Sequence, residues 1–218
     1  MKKIVAIYTG QGLAEPLQKL ILDKLSGINL VNLIDDSLIR DVITAGTVTK
    51  SVSRRLINYY QIAAEMGADL ILNTCSSVGE IADMGRELVD IPLVKIDEPM
   101  AEHAAANYAQ IGVIATLPTT LEPTIRLIKS QAQRLNREVE VVDGLAAGAY
   151  QALVSGSPEE HDRLILEVGQ KLSQQVDCIV LAQASMMRMQ EQLQEYAGVT
   201  VLASPPLCLP RIKEILEL

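Results

Sequence analysis

The sequence predicts an α/β protein of two similar lobes, each built on a parallel sheet. Three observations carry that prediction. Short aliphatic runs alternate with longer amphipathic stretches along the 218 residues, the order expected of strands joined by helical crossovers. The runs lack polar alternation, as strands covered on both faces do. The whole pattern also occurs twice, with an offset of 107 to 108 positions.

The elements follow in order. Residues 4–7 (Ile4-Val5-Ala6-Ile7) form a buried strand that ends in the Gly-containing turn Thr9-Gly10-Gln11-Gly12. Two lysines precede that run, as in a signal peptide, but the turn breaks it too early for an apolar h-region. Residues 15–25 place Leu17, Leu20, Ile21 and Leu25 at helical spacing. Residues 28–33 read as a second strand, and residues 50–66 as a longer helix stopped by Gly67. Residues 70–72 are a strand running into Asn73-Thr74-Cys75-Ser76-Ser77, followed by a helix over 79–88 and a strand over 93–96. A helix over 99–108 opens the second copy. A rigid connection, Pro205-Pro206-Leu207-Cys208-Leu209-Pro210, leads to a last helix over 210–218 that packs back on the first lobe.

Three pairs define the repeat. Ile4-Val5-Ala6-Ile7-Tyr8-Thr9 matches Ile111-Gly112-Val113-Ile114-Ala115-Thr116, 107 positions on (116 − 9). The run from Ala68 to Cys75 matches Val176 to Gln183, 108 positions on (183 − 75). Ile91-Pro92-Leu93-Val94 matches Val199-Thr200-Val201-Leu202 at the same offset. One lobe therefore spans residues 1–98 with 207–218, and the other residues 99–206. Ligands of parallel sheets sit beyond the carboxyl ends of the strands. Two such lobes facing one cleft would build a site from residues 8–12, 74–78, 116–120 and 183–185.

Composition excludes several functions. A net charge of -8 argues against a nucleic-acid surface or an anionic membrane as partner. No stretch approaches the roughly 20 apolar residues of a membrane span. Three cysteines without metal-like spacing predict neither a disulfide framework nor a metal site, and suit a reducing cytoplasm. Aromatics are 3% with no Trp or Phe, so the core must be aliphatic.

The four loops are small and polar, and none contains Lys or Arg. Their hydroxyls and backbone N–H groups can hold a small anion, or simply cap the following helices. Thr9-Gly10-Gln11-Gly12 lacks the third Gly and the acidic partner of a dinucleotide fingerprint. Cys75 sits at a strand's carboxyl end before a helix, where a thiol is more readily ionised and can act as nucleophile or base. Cys178, inside an aliphatic strand, and Cys208 read as structural. His103 and His161 read as surface positions on helices. Asp97-Glu98 reads as the cap of the helix joining the lobes, and Met186, Met187 and Met189 as core or lid.

These residues resemble the aspartate/glutamate racemase superfamily, whose relatives include hydantoin racemases, maleate isomerases and arylmalonate decarboxylases. The resemblance covers essentially the whole chain. Tyr8-Thr9-Gly10-Gln11-Gly12 looks like the family's first loop and Asn73-Thr74-Cys75-Ser76-Ser77 like its first cysteine loop. Glu98-Pro99 looks like the junction between lobes, and Thr116-Leu117-Pro118-Thr119-Thr120 like the carboxylate loop. The resemblance implies two Rossmann-like or flavodoxin-like lobes related by a pseudo-two-fold axis, with no cofactor. It also implies a small carboxylate substrate and a homodimer or higher homo-oligomer.

In such enzymes two thiols flank the substrate's α-carbon, one taking a proton and the other returning it. Here Cys75 matches the first thiol, while Gln183 in Ala182-Gln183-Ala184-Ser185 stands where the second belongs. An amide cannot serve as a general acid or base near neutral pH. The expectation is carbon-acid chemistry at Cys75, namely racemisation, isomerisation or decarboxylation. The anion pocket would be Thr9, Gly10, Ser76, Ser77, Thr116, Thr119, Thr120, Gln183, Ala184 and Ser185. The alternatives are an amino-acid racemase whose second base is His103, Asp97, Glu98 or a bound water, and a small-acid binding protein without turnover. Tyr8 stands where amino-acid racemases often carry an acid, which points to a substrate without an amino group.

Overall fold

The computed structural model describes residues 1–218 and divides into two units, Met1–Ile96 with Pro205–Leu218, and Asp97–Ser204. In the first unit the order is β1 (Lys2–Tyr8), α1 (Ala14–Lys24), β2 (Ile28–Ile34), α2 (Ser37–Ala45) and α3 (Lys50–Glu65). It continues with β3 (Leu70–Asn73), α4 (Gly79–Arg86) and β4 (Leu93–Lys95). The four strands are parallel in the order β2-β1-β3-β4. Residues 4–8 and all of β3 are buried, so these strands are buried on both faces rather than alternating, and only Asn73, at the end of β3, is an amide.

The second unit repeats this plan. It contains α5 (Glu98–Asn107), β5 (Gln110–Ala115), α6 (Pro118–Arg134), β6 (Glu140–Leu145), α7 (Ala149–Val154) and α8 (Pro158–Leu172). β7 (Cys178–Leu181), α9 (Gln190–Ala197) and β8 (Thr200–Ala203) follow. Its strands are also parallel, in the order β6-β5-β7-β8. Two α/β units with parallel sheets are what the sequence predicted.

Each sheet reverses its direction of growth once, between β1 and β3 in the first unit and between β5 and β7 in the second. Such a reversal is where strand-to-helix loops of parallel sheets diverge to opposite faces and where ligands of such sheets bind. The loops after β1 and β3, and after β5 and β7, are the four polar loops singled out in the sequence.

The core is aliphatic apart from two buried tyrosines, Tyr8 and Tyr60. In the first unit Val5, Ile7, Val52, Leu56 and Ile71 surround Tyr60, which is fully buried. Thr49 caps α3 by accepting from the Val52 N–H at 3.2 Å. Gly67, at φ +70°, turns the chain out of that helix as its position predicted.

Two expectations need correction. Residues 205–210 are not a rigid connection: they lie within α10 (Ser204–Leu216), which begins directly after β8. Pro205 and Pro206 fall in the first turn, where no intrahelical N–H bond is required, so only Pro210 costs the helix a hydrogen bond. His161 is not a surface residue. It is 4% exposed, and its Nδ1 lies 2.7 Å from Asp162 Oδ1 and 3.1 Å from Arg188. His103 is exposed, and Met186 and Met189 are buried in the core of the second unit.

Candidate active site

In the first unit, β1 and β3 are stitched together where their loops depart. The Thr74 N–H and Oγ1 both donate to the Ile7 carbonyl, at 3.2 and 2.9 Å. The hydroxyl of Thr74 is thereby committed to the fold. Cys75 follows in extended backbone (φ −124°, ψ 118°) and is half-buried. A single 3-10 turn, Ser76–Val78, then runs straight into α4. Ser76 and Ser77 are buried beside the thiol in sequence, and Thr9 is buried after β1. Gly10 is half-buried in the same β1–α1 loop.

A buried polar chain lies behind Cys75. The Tyr60 hydroxyl donates to Asn73 Oδ1 at 3.0 Å, and Asn73 Nδ2 donates to the Cys75 carbonyl at 3.0 Å. The amide orientation is unambiguous, because a carbonyl can only accept. Sequence reasoning missed both partners. Asn73 was visible as a polar residue ending an apolar strand, but Tyr60 lies 13 positions away on α3.

Tyr8, at the end of β1, is 1% exposed, and its hydroxyl oxygen has no hydrogen-bond partner within the protein. Burial drives its ionisation far above the ordinary phenol range, so it stays a neutral donor. Beyond β2, Asp35 is held by the Ser37 hydroxyl, by Tyr59 at 2.8 Å and by Arg55. Gln11 Nε2 ties the β1–α1 loop to Asp36 at 2.7 Å. These contacts hold the loops after β1 and β2 together.

In the second unit, Gln183 occupies the place Cys75 holds in the first. The Ala182 N–H bonds to the Ile114 carbonyl just as Thr74 bonds to Ile7. Gln183 is likewise extended (φ −106°, ψ 131°) and likewise precedes a 3-10 turn, Ala184–Met189. Its amide is engaged. Oε1 accepts from the Thr116 N–H at 2.9 Å, and Nε2 donates to Thr116 Oγ1. The Thr116 hydroxyl proton is thereby directed elsewhere, as a donor.

The remaining loop residues divide by exposure. Thr120 and Ala184 are buried and Ser185 is exposed. Thr119 is half-buried, and its hydroxyl oxygen is shielded without a hydrogen-bond partner in the protein. The N-cap position of α6 is Leu117, whose side chain makes no capping bond. Asp97 stands at the N-cap of α5, yet its side chain makes no capping bond, contrary to expectation. Burial pushes the Cys178 thiol up to about 12, and Cys208 is 1% exposed. No three His, Cys, Asp or Glu side chains converge as metal ligands. No helix is long and apolar enough to cross a membrane.

Residues 14–208 match the family described as Asp/Glu/Hydantoin racemase. The chain belongs to that family. The resemblance drawn from the loop sequences is thus borne out, and the chain is an enzyme of the racemase type. Solved structures share the fold at low identity. Glutamate racemase from Francisella tularensis, in complex with D-glutamate, is 16% identical with a TM-score of 0.78, covering 99% of this chain and 81% of that one. Aspartate racemase from Picrophilus torridus is 12% identical with a TM-score of 0.73, covering 99% and 98%. Allantoin racemase from Klebsiella pneumoniae is 14% identical with a TM-score of 0.68, covering 100% and 88%. No curated protein matches the chain.

Proposed function

We propose that the protein catalyses cofactor-independent proton transfer at the carbon next to the carboxylate of a small acid, with Cys75 as its single thiol. The observation that carries this reading is the pair Cys75 and Gln183 at equivalent places in the repeat, one ionisable and the other a bonded amide. Thr9, Gly10, Ser76, Ser77, Thr116, Thr119, Thr120, Gln183, Ala184 and Ser185 hold the substrate's oxygens. Their donors stabilise the enediolate charge that develops when the α-proton leaves. In the deprotonating mode the thiolate takes the α-proton and returns it to the same face. In the decarboxylating mode carbon dioxide departs and the thiol protonates the carbanion, then regains its proton from water.

A single base at one face does not invert a stereocentre. Solvent deuterium therefore enters the α-carbon with retained configuration, or carbon dioxide is lost. The neutral Tyr8 phenol supports a substrate without an ammonium group, because it offers no negative charge to pair with one.

The test is proton NMR in D₂O on a panel of aspartate, glutamate, maleate, hydantoins and substituted malonates, with Cys75→Ala alongside. Exchange or conversion of a panel member lacking an ammonium, abolished in Cys75→Ala, is the expected result. Undiminished turnover in Cys75→Ala would overturn the role of the thiol. Tight binding of an acid that survives Cys75→Ala, with no turnover in either protein, would make the chain a binder instead.

A further inference from the structure

We propose that Tyr60 and Asn73 are positioning residues for Cys75, fixing through its backbone carbonyl the segment that carries the thiol; this rests on the thiol chemistry proposed above. The chain of bonds runs from the Tyr60 hydroxyl to Asn73 Oδ1 and from Asn73 Nδ2 to the Cys75 carbonyl, each 3.0 Å long. Tyr60 and Asn73 are both 0% exposed, so water does not compete for these bonds. Pinning the amide oxygen to Tyr60 leaves the NH₂ group directed at the Cys75 carbonyl, so the backbone of Cys75 is held from the buried side. Burial first, and then the charge of a Cys75 thiolate, keep the Tyr60 hydroxyl protonated and so a donor.

The repeat supplies an internal control. The buried positions of α3 are Val52, Leu56, Tyr60 and Ala63, and those of α8 are His161, Ile165, Gly169 and Leu172. Gly169 therefore stands where Tyr60 does, 109 positions on (169 − 60). Leu181 ends β7 where Asn73 ends β3. The space at each helix pair is filled from opposite sides. A Cβ on Gly85 would lie 2.5 Å from the Tyr60 ring, and a Cβ on Gly169 would lie 2.3 Å from Leu193. Leu193 is the counterpart of Gly85, 108 positions on (193 − 85). The large side chain comes from the first helix in one unit and from the second helix in the other. The same fold is thus built without the tyrosine or the asparagine. The unit that lacks this polar pair is the one whose thiol position carries glutamine.

The experiment follows alkylation of Cys75 by iodoacetamide against pH, read by peptide mass spectrometry, in the full chain. Tyr60→Phe keeps the ring against Gly85 and removes only the hydroxyl. Asn73→Leu copies the second unit. Each is expected to raise the midpoint of the Cys75 profile and slow labelling at pH 7 roughly threefold to tenfold, equivalent to about half to one pKa unit. The double variant is expected to be no slower than the slower single variant, because the two act as one device. Tyr59→Phe, which removes a neighbouring hydroxyl bonded to Asp35, leaves the profile unchanged. A Tyr60→Phe profile superimposable on the wild type would overturn the inference, whatever its melting temperature. Loss of turnover in Cys75→Ala beside an unaltered Tyr60→Phe would sink only this inference; turnover surviving Cys75→Ala would sink the thiol reading itself.

Discussion

Replacing Gln183 by methionine tests whether its amide is held as the structure describes. Methionine matches the length and flexibility of glutamine but offers neither an amide donor nor a carbonyl acceptor. Two bonds would be lost. The Thr116 N–H, on a residue 6% exposed, would lose its acceptor Oε1 at 2.9 Å, and Thr116 Oγ1 would lose the Nε2 donor. An orphaned buried N–H costs about 1–3 kcal/mol, and the hydroxyl, still able to rotate, loses less. The expected destabilisation is about 2 kcal/mol, which in a chain of this size lowers Tm by roughly 4–8 °C. Differential scanning calorimetry at neutral pH reads it. Gln183→Glu supplies a contrast, because a carboxylate can accept from both the Thr116 N–H and its hydroxyl, and it is expected to lose less than half as much. A methionine variant melting within about 1 °C of the wild type would refute the reasoning.

Three further outcomes follow from the geometry. Gly85→Ala gains about 1 kcal/mol of helix propensity, but its Cβ meets Tyr60 Cδ2 at 2.5 Å and Leu93 Cδ1 at 3.1 Å. Net destabilisation of about 1–2 kcal/mol is expected by chemical denaturation, relieved when Tyr60→Leu is added; an unchanged midpoint for the single variant would contradict the packing. Asp35 is raised by burial, but the bonds from Ser37, Arg55 and Tyr59 outweigh this and hold it at about 2, below its ordinary 3.8. Its folded value lies below the unfolded one, so its contribution is present above pH 3.8 and is lost as pH falls through about 2. Asp35→Asn should flatten the Tm profile in that window, and identical profiles would remove Asp35 from the account. Finally, iodoacetamide at pH 8 should label Cys75 well before Cys178, whose thiol is pushed up to about 12 and whose sulfur is buried; equal labelling of both in folded protein would contradict that burial.

Strands and repeat were legible because they depend on local pattern. A four-residue run such as Leu70–Asn73, flanked by helices, has little else to become. The loops beyond β1, β3, β5 and β7 were legible for the same reason, since small polar residues follow apolar strands where the sheet reverses. α2 was less visible because it is short and buries only Leu38 and Val42. The C-terminal helix was obscured by its three prolines, two of which sit where a helix tolerates them. His161 was misread as a surface position, although its spacing to Ile165 and Gly169 already placed it on the buried face of α8. The Tyr60–Asn73 bond was out of reach because it joins a helix to a strand, and only tertiary packing sets which residues meet.

The duplication allows one lobe to be read against the other, and their differences are concentrated rather than scattered. Strand order, ladder register and the turn after the central strand agree in both units. Such agreement shows what the fold requires: apolar strands, a stitched pair of strand ends and an extended residue before a 3-10 turn. What it does not require are Tyr60, Asn73 and Cys75 in one unit, and Gln183 bonded to Thr116 in the other. In the first unit the polar atoms converge on a group that can exchange a proton. In the second they close on each other, Gln183 on Thr116. A lobe that only donates can hold an oxyanion without taking its proton, whereas a lobe that titrates can move a proton without binding charge tightly. A cysteine placed at 183 would lose the acceptor that the Thr116 N–H now uses, so a thiol at that position would destabilise the second unit.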